Sequence, residues 1–88
     1  MICVSIGRSR HQIMRAEHQH LADQGAELVE LRVAYLAGDV KIPQLLADRP
    51  CRTVITCRRP EDGGKFLKSE LARQTILRTA ITENADFV

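Results

Sequence analysis

The 88-residue sequence has few aromatic side chains, little net charge and no long apolar run. Aromatic residues make up 3% of the chain and tryptophan is absent, which argues against the base-stacking platforms of single-strand nucleic-acid binders. The net charge of +2 is too small to indicate a polyanionic partner by itself. No apolar run approaches the roughly 20 residues of a membrane-spanning helix. We therefore expect one domain over residues 1–88, with no nucleic-acid and no membrane partner.

The three cysteines lack the spacing of metal ligands. Cys3 and Cys57 lie within strand-like runs, which predicts a buried free thiol at each position. Cys51 lies between a helix-like and a strand-like segment. Free thiols are typical of a reducing compartment, so we expect the protein in the cytoplasm.

Strand-like and helix-like segments alternate along the chain, which predicts an α/β fold of βαβ units with parallel strands. The strands are predicted at 1–7, 27–33 and 52–57, with the start of a fourth at 86–88. The helices are predicted from a Ser9 cap to Gly25, over 42–48, and from a Ser69 cap to Glu83. The apolar residues expected on the packed faces of the first and last helices are Ile13, Met14 and Leu21, and Leu71, Ile76, Leu77 and Ile81.

Alternation within the strands separates an apolar face from a polar one. The apolar set is predicted to pack on helices: Ile2, Val4, Ile6, Val29, Leu31, Val33, Ile55 and Cys57. The opposite face collects hydroxyls and charges near the carboxyl ends of the strands: Ser5, Glu30, Arg32, Thr56 and Arg58. Parallel α/β sheets place their sites at this end. An ion pair that merely satisfies itself is the alternative interpretation of these charges.

Two arginines beside a glutamate suit a small ligand that carries a carboxylate and hydroxyl groups. The planar fork of arginine can hold both oxygens of a carboxylate. Glu30 lies two positions before Arg32, where its carboxylate would steady that fork and accept hydrogen bonds from ligand hydroxyls.

Three motifs in order resemble the type I 3-dehydroquinate dehydratases. They are Val-Ser-Ile at 4–6, Glu-Leu-Arg at 30–32, and Thr-Cys-Arg-Arg-Pro-Glu-Asp-Gly-Gly at 56–64. The resemblance extends over the whole chain, including Asn-Ala-Asp-Phe-Val at 84–88. It implies a partial TIM (β/α)8 barrel that runs from the first strand to the start of the fourth.

The resemblance also implies a chemistry. The family converts 3-dehydroquinate to 3-dehydroshikimate in the shikimate pathway, through a lysine Schiff base and a histidine general acid and base, with no metal or organic cofactor. The residues that match the family's substrate-binding positions are Ser5, Glu30, Arg32 and Arg58. Asp62 stands where the family usually has the glutamate that orients its catalytic histidine. Ala34 stands where the family commonly has an aspartate.

The family's reactive lysine and histidine lie on strands later than any in this chain. Lys41 is at a helix start, Lys65 and Lys68 are in the loop after the third strand, and all three histidines fall on the first helix. His18 and His20 do not share a helix face, so they make a poor metal pair. We therefore expect the substrate-binding N-terminal part of the enzyme, a fragment or a truncated relative, inactive alone.

Two other predictions remain open at this stage. Exposed strand edges predict self-association of the chain. A small-anion-binding or interaction module that has left catalysis behind is the alternative function. A phosphate cradle made by Arg58, Arg59 and the glycines at 63–64 is disfavoured, because no helix starts directly after those glycines.

Overall fold

The computed structural model describes residues 3–59 and 68–88 and contains three strands, three α-helices and one 3₁₀ turn within them. In chain order the elements are β1 (Cys3–Ile6), α1 (His11–Asp23), β2 (Leu28–Arg32), the 3₁₀ turn (Val33–Tyr35), α2 (Ile42–Leu46), β3 (Arg52–Thr56) and α3 (Glu70–Thr82).

The three strands form a parallel sheet in the order β1-β2-β3. Phe87 continues this order on the far side of β3: its N–H donates to the Thr53 carbonyl, and its carbonyl accepts from the Ile55 N–H, each at 3.0 Å. The predicted start of a fourth strand is thus confirmed. The described residues thus form an open parallel sheet of βαβ units, as expected for the start of an α/β barrel.

The apolar face of the sheet packs on the helices as predicted. Its fully or almost fully buried members are Ile6, Val29, Leu31, Val33, Ile55 and Cys57, while Val4 is half-buried and residue 2 lies outside the described part of the chain. Cys57 is buried, but the predicted burial of Cys3 is wrong. Strand alternation explains the difference, because Cys3 shares the face of Ser5, which points away from the helices.

Helix α1 packs through two of its three predicted apolar residues, Met14 and Leu21, and through His18, which was not in the predicted apolar set. Met14 and His18 are buried and Leu21 is half-buried, a spacing of four and three residues that defines one helix face. Ile13 is turned away from that face and is 47% exposed, so its predicted core position is wrong. Histidine occupies the place expected for an aliphatic residue.

Helix α3 shows the same kind of departure. Ile76 and Leu77 pack against the core as predicted, but Leu71 is 72% and Ile81 63% exposed. The most deeply buried position on this helix is Ala80. The buried face of α3 therefore does not coincide with its largest apolar residues.

The helix ends follow the predictions in part. The Ser69 hydroxyl caps α3 by accepting from the Ala72 N–H at 3.1 Å, as predicted. Gly25 follows α1 with a φ of +99°, the left-handed conformation that ends helices. The predicted Ser9 cap is wrong, because α1 starts after Arg10 without a side-chain cap. Helix α2 ends at Leu46, two residues before the predicted end.

Across the two described ranges, no helix has the length and apolar character needed to cross a membrane.

Candidate substrate-binding site

The carboxylate of Glu30 joins all three strands on the polar face of the sheet. The Ser5 hydroxyl on β1 donates to one carboxylate oxygen at 2.5 Å, and the Thr56 hydroxyl on β3 donates to the other at 2.8 Å. Strand pairing produces this arrangement, since Ser5 is in register with Glu30, and Thr56 with Arg32 two residues further on. A single acid is thus held between hydroxyls from both neighbouring strands.

Arg32 lies on the same face, at the end of β2. Its Nε is 3.8 Å from the nearer Glu30 oxygen, so the two form an ion pair that is too long for a hydrogen bond. The guanidinium carbon is 5.6 Å from the centre of the Tyr35 ring. The Arg32 side chain is 32% exposed and that of Glu30 is 21% exposed, so a ligand can reach both.

The pKa of Glu30 is lower than that of an ordinary glutamate. Burial is the largest single influence and raises this pKa, but hydrogen bonds from Ser5 and Thr56 and the positive charges of Arg32 and Arg58 together outweigh it. The site therefore presents an ionised acceptor flanked by cations at neutral pH.

Arg58 is exposed and lies two residues beyond Thr56, just past the end of β3. It also lines a cavity of about 450 Å³ at the carboxyl end of that strand. The other residues around this cavity are Ile55, Thr56, Cys57, Arg73, Leu77 and Val88. The cavity is open to solvent, and Ser5, Glu30 and Arg32 do not line it.

The structure brings together three of the predicted site residues, Ser5, Glu30 and Arg32, and places the charge of Arg58 within electrostatic range of Glu30. Asp62 and the glycines at 63–64 lie outside the described residues. Thr56 lies on this face as predicted, and its hydrogen bond to Glu30 adds it to the site; its position two residues before Arg58 is the sequence signal for that role. Tyr35 carried no signal in the sequence, since its position depends on a loop contact.

The profile of the type I 3-dehydroquinase family matches residues 2–88. The chain belongs to this family. No curated protein matches it. Membership confirms the resemblance seen in the three motifs and agrees with the open parallel sheet of a barrel's first part.

The described lysines of this type I 3-dehydroquinase chain stand apart from its strands. Lys41 precedes α2, where its backbone N–H donates to the His11 ring at 2.9 Å. Lys68 precedes α3, where its ammonium group donates to the Gly38 carbonyl at 3.1 Å and lies 3.7 Å from Asp39. Lys65 lies outside the described residues.

The histidines of this dehydroquinase chain belong to helix α1. His18 is buried, with its Nε2 3.3 Å from the Cys51 sulfur, and burial, followed by the charge of Arg49, lowers its pKa. Burial also lowers the pKa of His11. His18 therefore has the helix-packing role that was predicted. Within residues 3–59 and 68–88, no group of three acidic, histidine or cysteine side chains could hold a metal ion.

Proposed function

We propose that this chain carries the substrate-binding wall of a type I 3-dehydroquinase and binds the carboxylate and hydroxyl groups of 3-dehydroquinate. One observation carries the proposal: the Glu30 carboxylate, held by Ser5 and Thr56, lies 3.8 Å from the Arg32 guanidinium at the carboxyl end of parallel strands. The Glu30 carboxylate, which can accept hydrogen bonds from ligand hydroxyls, thus lies beside the Arg32 guanidinium, which can donate to a ligand carboxylate.

Each of these residues has a proposed role. Arg32 and Arg58 bind the substrate carboxylate, because guanidinium donors match its two oxygens. Glu30 accepts a hydrogen bond from a substrate hydroxyl, and Ser5 contributes a further polar contact. Asp62 orients the histidine that moves protons in the complete site.

The proposed reaction removes water from the substrate. A lysine amine condenses with the ketone and releases one water, and the resulting imine accepts the electron pair left when the adjacent proton departs. Histidine takes that proton and returns one to the leaving hydroxyl group, so a second water is released. Hydrolysis of the imine then consumes one water and restores the lysine, for a net loss of one water.

We propose that the reactive lysine and histidine come from another part of the barrel, and that this single-domain chain binds substrate without turnover. The placement of Lys41 and Lys68 at helix starts and of His18 in helix packing supports this view. Neither described lysine has the strand position where burial could lower its pKa for nucleophilic attack.

Titration calorimetry with 3-dehydroquinate tests the binding. We expect a saturable signal for the unmodified chain and at least tenfold weaker binding for Arg32→Gln, since a charge-assisted pair contributes about 1.5–3 kcal/mol. Arg78→Gln, on the exposed side of α3, is the matched control and should bind like the unmodified chain. Absence of binding to the unmodified chain, or equal losses in both variants, contradicts the proposal.

Two further measurements separate this function from a general anion-binding module. A carboxylate of similar size without hydroxyl groups should bind clearly more weakly, because Glu30 would gain no donor, whereas a general anion module would bind both ligands alike. Borohydride added with 3-dehydroquinate should leave the mass of the chain unchanged. A trapped covalent adduct would contradict the proposed absence of turnover.

We also propose that copies of this chain associate through the open sheet. Among the described strands, β1 pairs on one side only, and β3 meets no more than the short bridge at Phe87 on its outer side. Phe87 and Val88 are each half exposed beside that edge, and unpaired edges favour pairing between chains. Light scattering that finds only 9.9 kDa particles at micromolar concentration would contradict this proposal.

A reducing compartment, the cytoplasm, is part of the proposal. Cys3, Cys51 and Cys57 are free thiols, and Cys3 is exposed. An oxidising compartment would favour disulfides between exposed thiols of different chains. Recovery of a tagged chain from a secreted fraction would contradict the assignment.

A further inference from the structure

Tyr35 stands beside the predicted carboxylate-binding arginine. It ends the 3₁₀ turn that directly follows β2, and its ring centre is 5.6 Å from the guanidinium carbon of Arg32. Cations within about 6 Å of an aromatic centre are attracted by the negative face of the ring. The turn thus places the Tyr35 ring against Arg32, three positions earlier in the chain.

Gly7 provides the space that the Tyr35 ring occupies. A Cβ atom built on Gly7 would lie 2.0 Å from the ring's Cδ2 and 2.1 Å from its Cε2, far inside any permitted contact. Gly7 follows β1 and lies two residues after Ser5. The ring therefore lies at the same end of the sheet as the Glu30 carboxylate and its two hydroxyl donors. Any other residue at position 7 would force the ring to move.

The loops that carry these residues are tied to each other. The Ala37 N–H donates to the Ser9 carbonyl at 2.9 Å, which joins the loop after β2 to the loop after β1. The Leu36 N–H donates to the Val33 carbonyl at 3.1 Å and closes the turn. The backbone on both sides of the ring is therefore fixed, and Tyr35 has a defined place above Gly7.

We propose that Tyr35 is a positioning residue that holds the Arg32 guanidinium for the ligand carboxylate. At 3.8 Å, Glu30 is too far from the Arg32 Nε to fix the guanidinium by a hydrogen bond. The ring supplies that restraint through its face and uses none of the guanidinium N–H donors, which stay available to a ligand. The ligand part of this inference rests on the proposed function, whereas the contact between ring and arginine does not.

Nuclear magnetic resonance of the Arg32 side-chain N–H tests the contact without a ligand. We expect its Nε–H proton to be shifted by the ring current in the unmodified chain and in Tyr35→Phe, relative to the Nε–H proton of Arg78. In Tyr35→Leu the shift should disappear. Gly7→Ala keeps the tyrosine but displaces its ring, and should abolish the same shift; it replaces the leucine variant if that variant does not fold.

Calorimetry with 3-dehydroquinate then tests the consequence. Tyr35→Phe should bind like the unmodified chain, while Tyr35→Leu should bind about 2- to 5-fold more weakly, the loss expected for an exposed cation–π contact. An unshifted Arg32 proton in the unmodified chain, or equal affinity of all variants, overturns the proposal. A ring-current shift that follows the variants as expected, with no ligand binding by any chain, supports the positioning of Arg32 and contradicts only the proposed function.

Discussion

The two faces of the sheet are built from alternate residues of the same strands, yet they meet opposite demands. On the helix side, Ile6, Val29 and Ile55 are completely buried and contribute through removal of apolar surface from water. On the polar side, Ser5 and Glu30 are reachable by solvent and linked by hydrogen bonds. Alternation along each strand therefore separates the residues that pack in the core from those that form the polar site, and a slip of one residue would exchange the two sets.

Each face also contains one polar side chain with unusual surroundings. Glu30 on the polar face has a hydroxyl donor for each carboxylate oxygen. Thr53 on the helix face is completely buried, and its hydroxyl has no hydrogen-bond partner in the described part of the chain. Among the described residues, the charged group on the polar face thus has its hydrogen bonds, while the buried Thr53 hydroxyl on the apolar face has none.

The largest expected effect comes from adjacent residues of β3 that point to opposite faces. Ile55→Ala should lower the free energy of unfolding by about 2–5 kcal/mol, because it leaves a cavity in the core. Thr56→Ala should lower it by less, about 1.5 kcal/mol, since it removes one hydrogen bond to the ionised and partly exposed Glu30 carboxylate. Urea unfolding monitored by circular dichroism measures both. Equal losses of unfolding free energy in the two variants would contradict the view that the helix-side face contributes most of the stability.

A smaller effect, of opposite sign, is expected at Thr53. Thr53→Val should raise the free energy of unfolding by about 1 kcal/mol, because a methyl group replaces a buried hydroxyl that has no partner. Thr79→Val is a suitable control, since the Thr79 hydroxyl donates to the Thr75 carbonyl at 2.8 Å and its removal should bring no gain. A destabilised Thr53→Val chain would show that the hydroxyl is satisfied after all.

The smallest expected effect is a change in the pH dependence of stability. Because the pKa of Glu30 is lowered in the folded chain, its contribution is fully present above the ordinary value of about 4.5 and is lost as the pH falls through the folded pKa. Below pH 5, the free energy of unfolding should therefore depend less on pH in Glu30→Gln than in the unmodified chain. Ser5→Ala removes one hydrogen-bond donor to Glu30, so the stability should be lost at a higher pH than in the unmodified chain. The same pH dependence of unfolding in the unmodified chain and both variants would contradict the lowered pKa of Glu30.

Much of the fold and of the candidate site could be predicted, because the side chains of a regular strand alternate between its two faces. This is why Ser5, Glu30 and Arg32 came together as expected. The helices were less predictable: a helix chooses its packed face by fit as well as by apolar character. His18 and Ala80 occupy buried positions that residue type alone would not assign.

The loop contacts could not be predicted at all. Tyr35 depends on the absent Cβ of Gly7, a residue 28 positions earlier in the chain. The missing Ser9 cap has a related origin, since the Ser9 carbonyl instead accepts from Ala37 in the neighbouring loop. Such contacts form only when the two loops lie side by side in the folded chain, so no local sequence pattern predicts them.

The strands neighbour one another in the order in which they occur along the chain. Ser5 and Glu30 are 25 positions apart, and Glu30 and Thr56 are 26 apart. A ribosome that adds about 5–20 residues per second covers such an interval in roughly 1–5 s. Each new strand therefore emerges when its neighbour has already been synthesised, so the sheet can grow in one direction during translation, and the edge that receives the next strand waits only seconds for it.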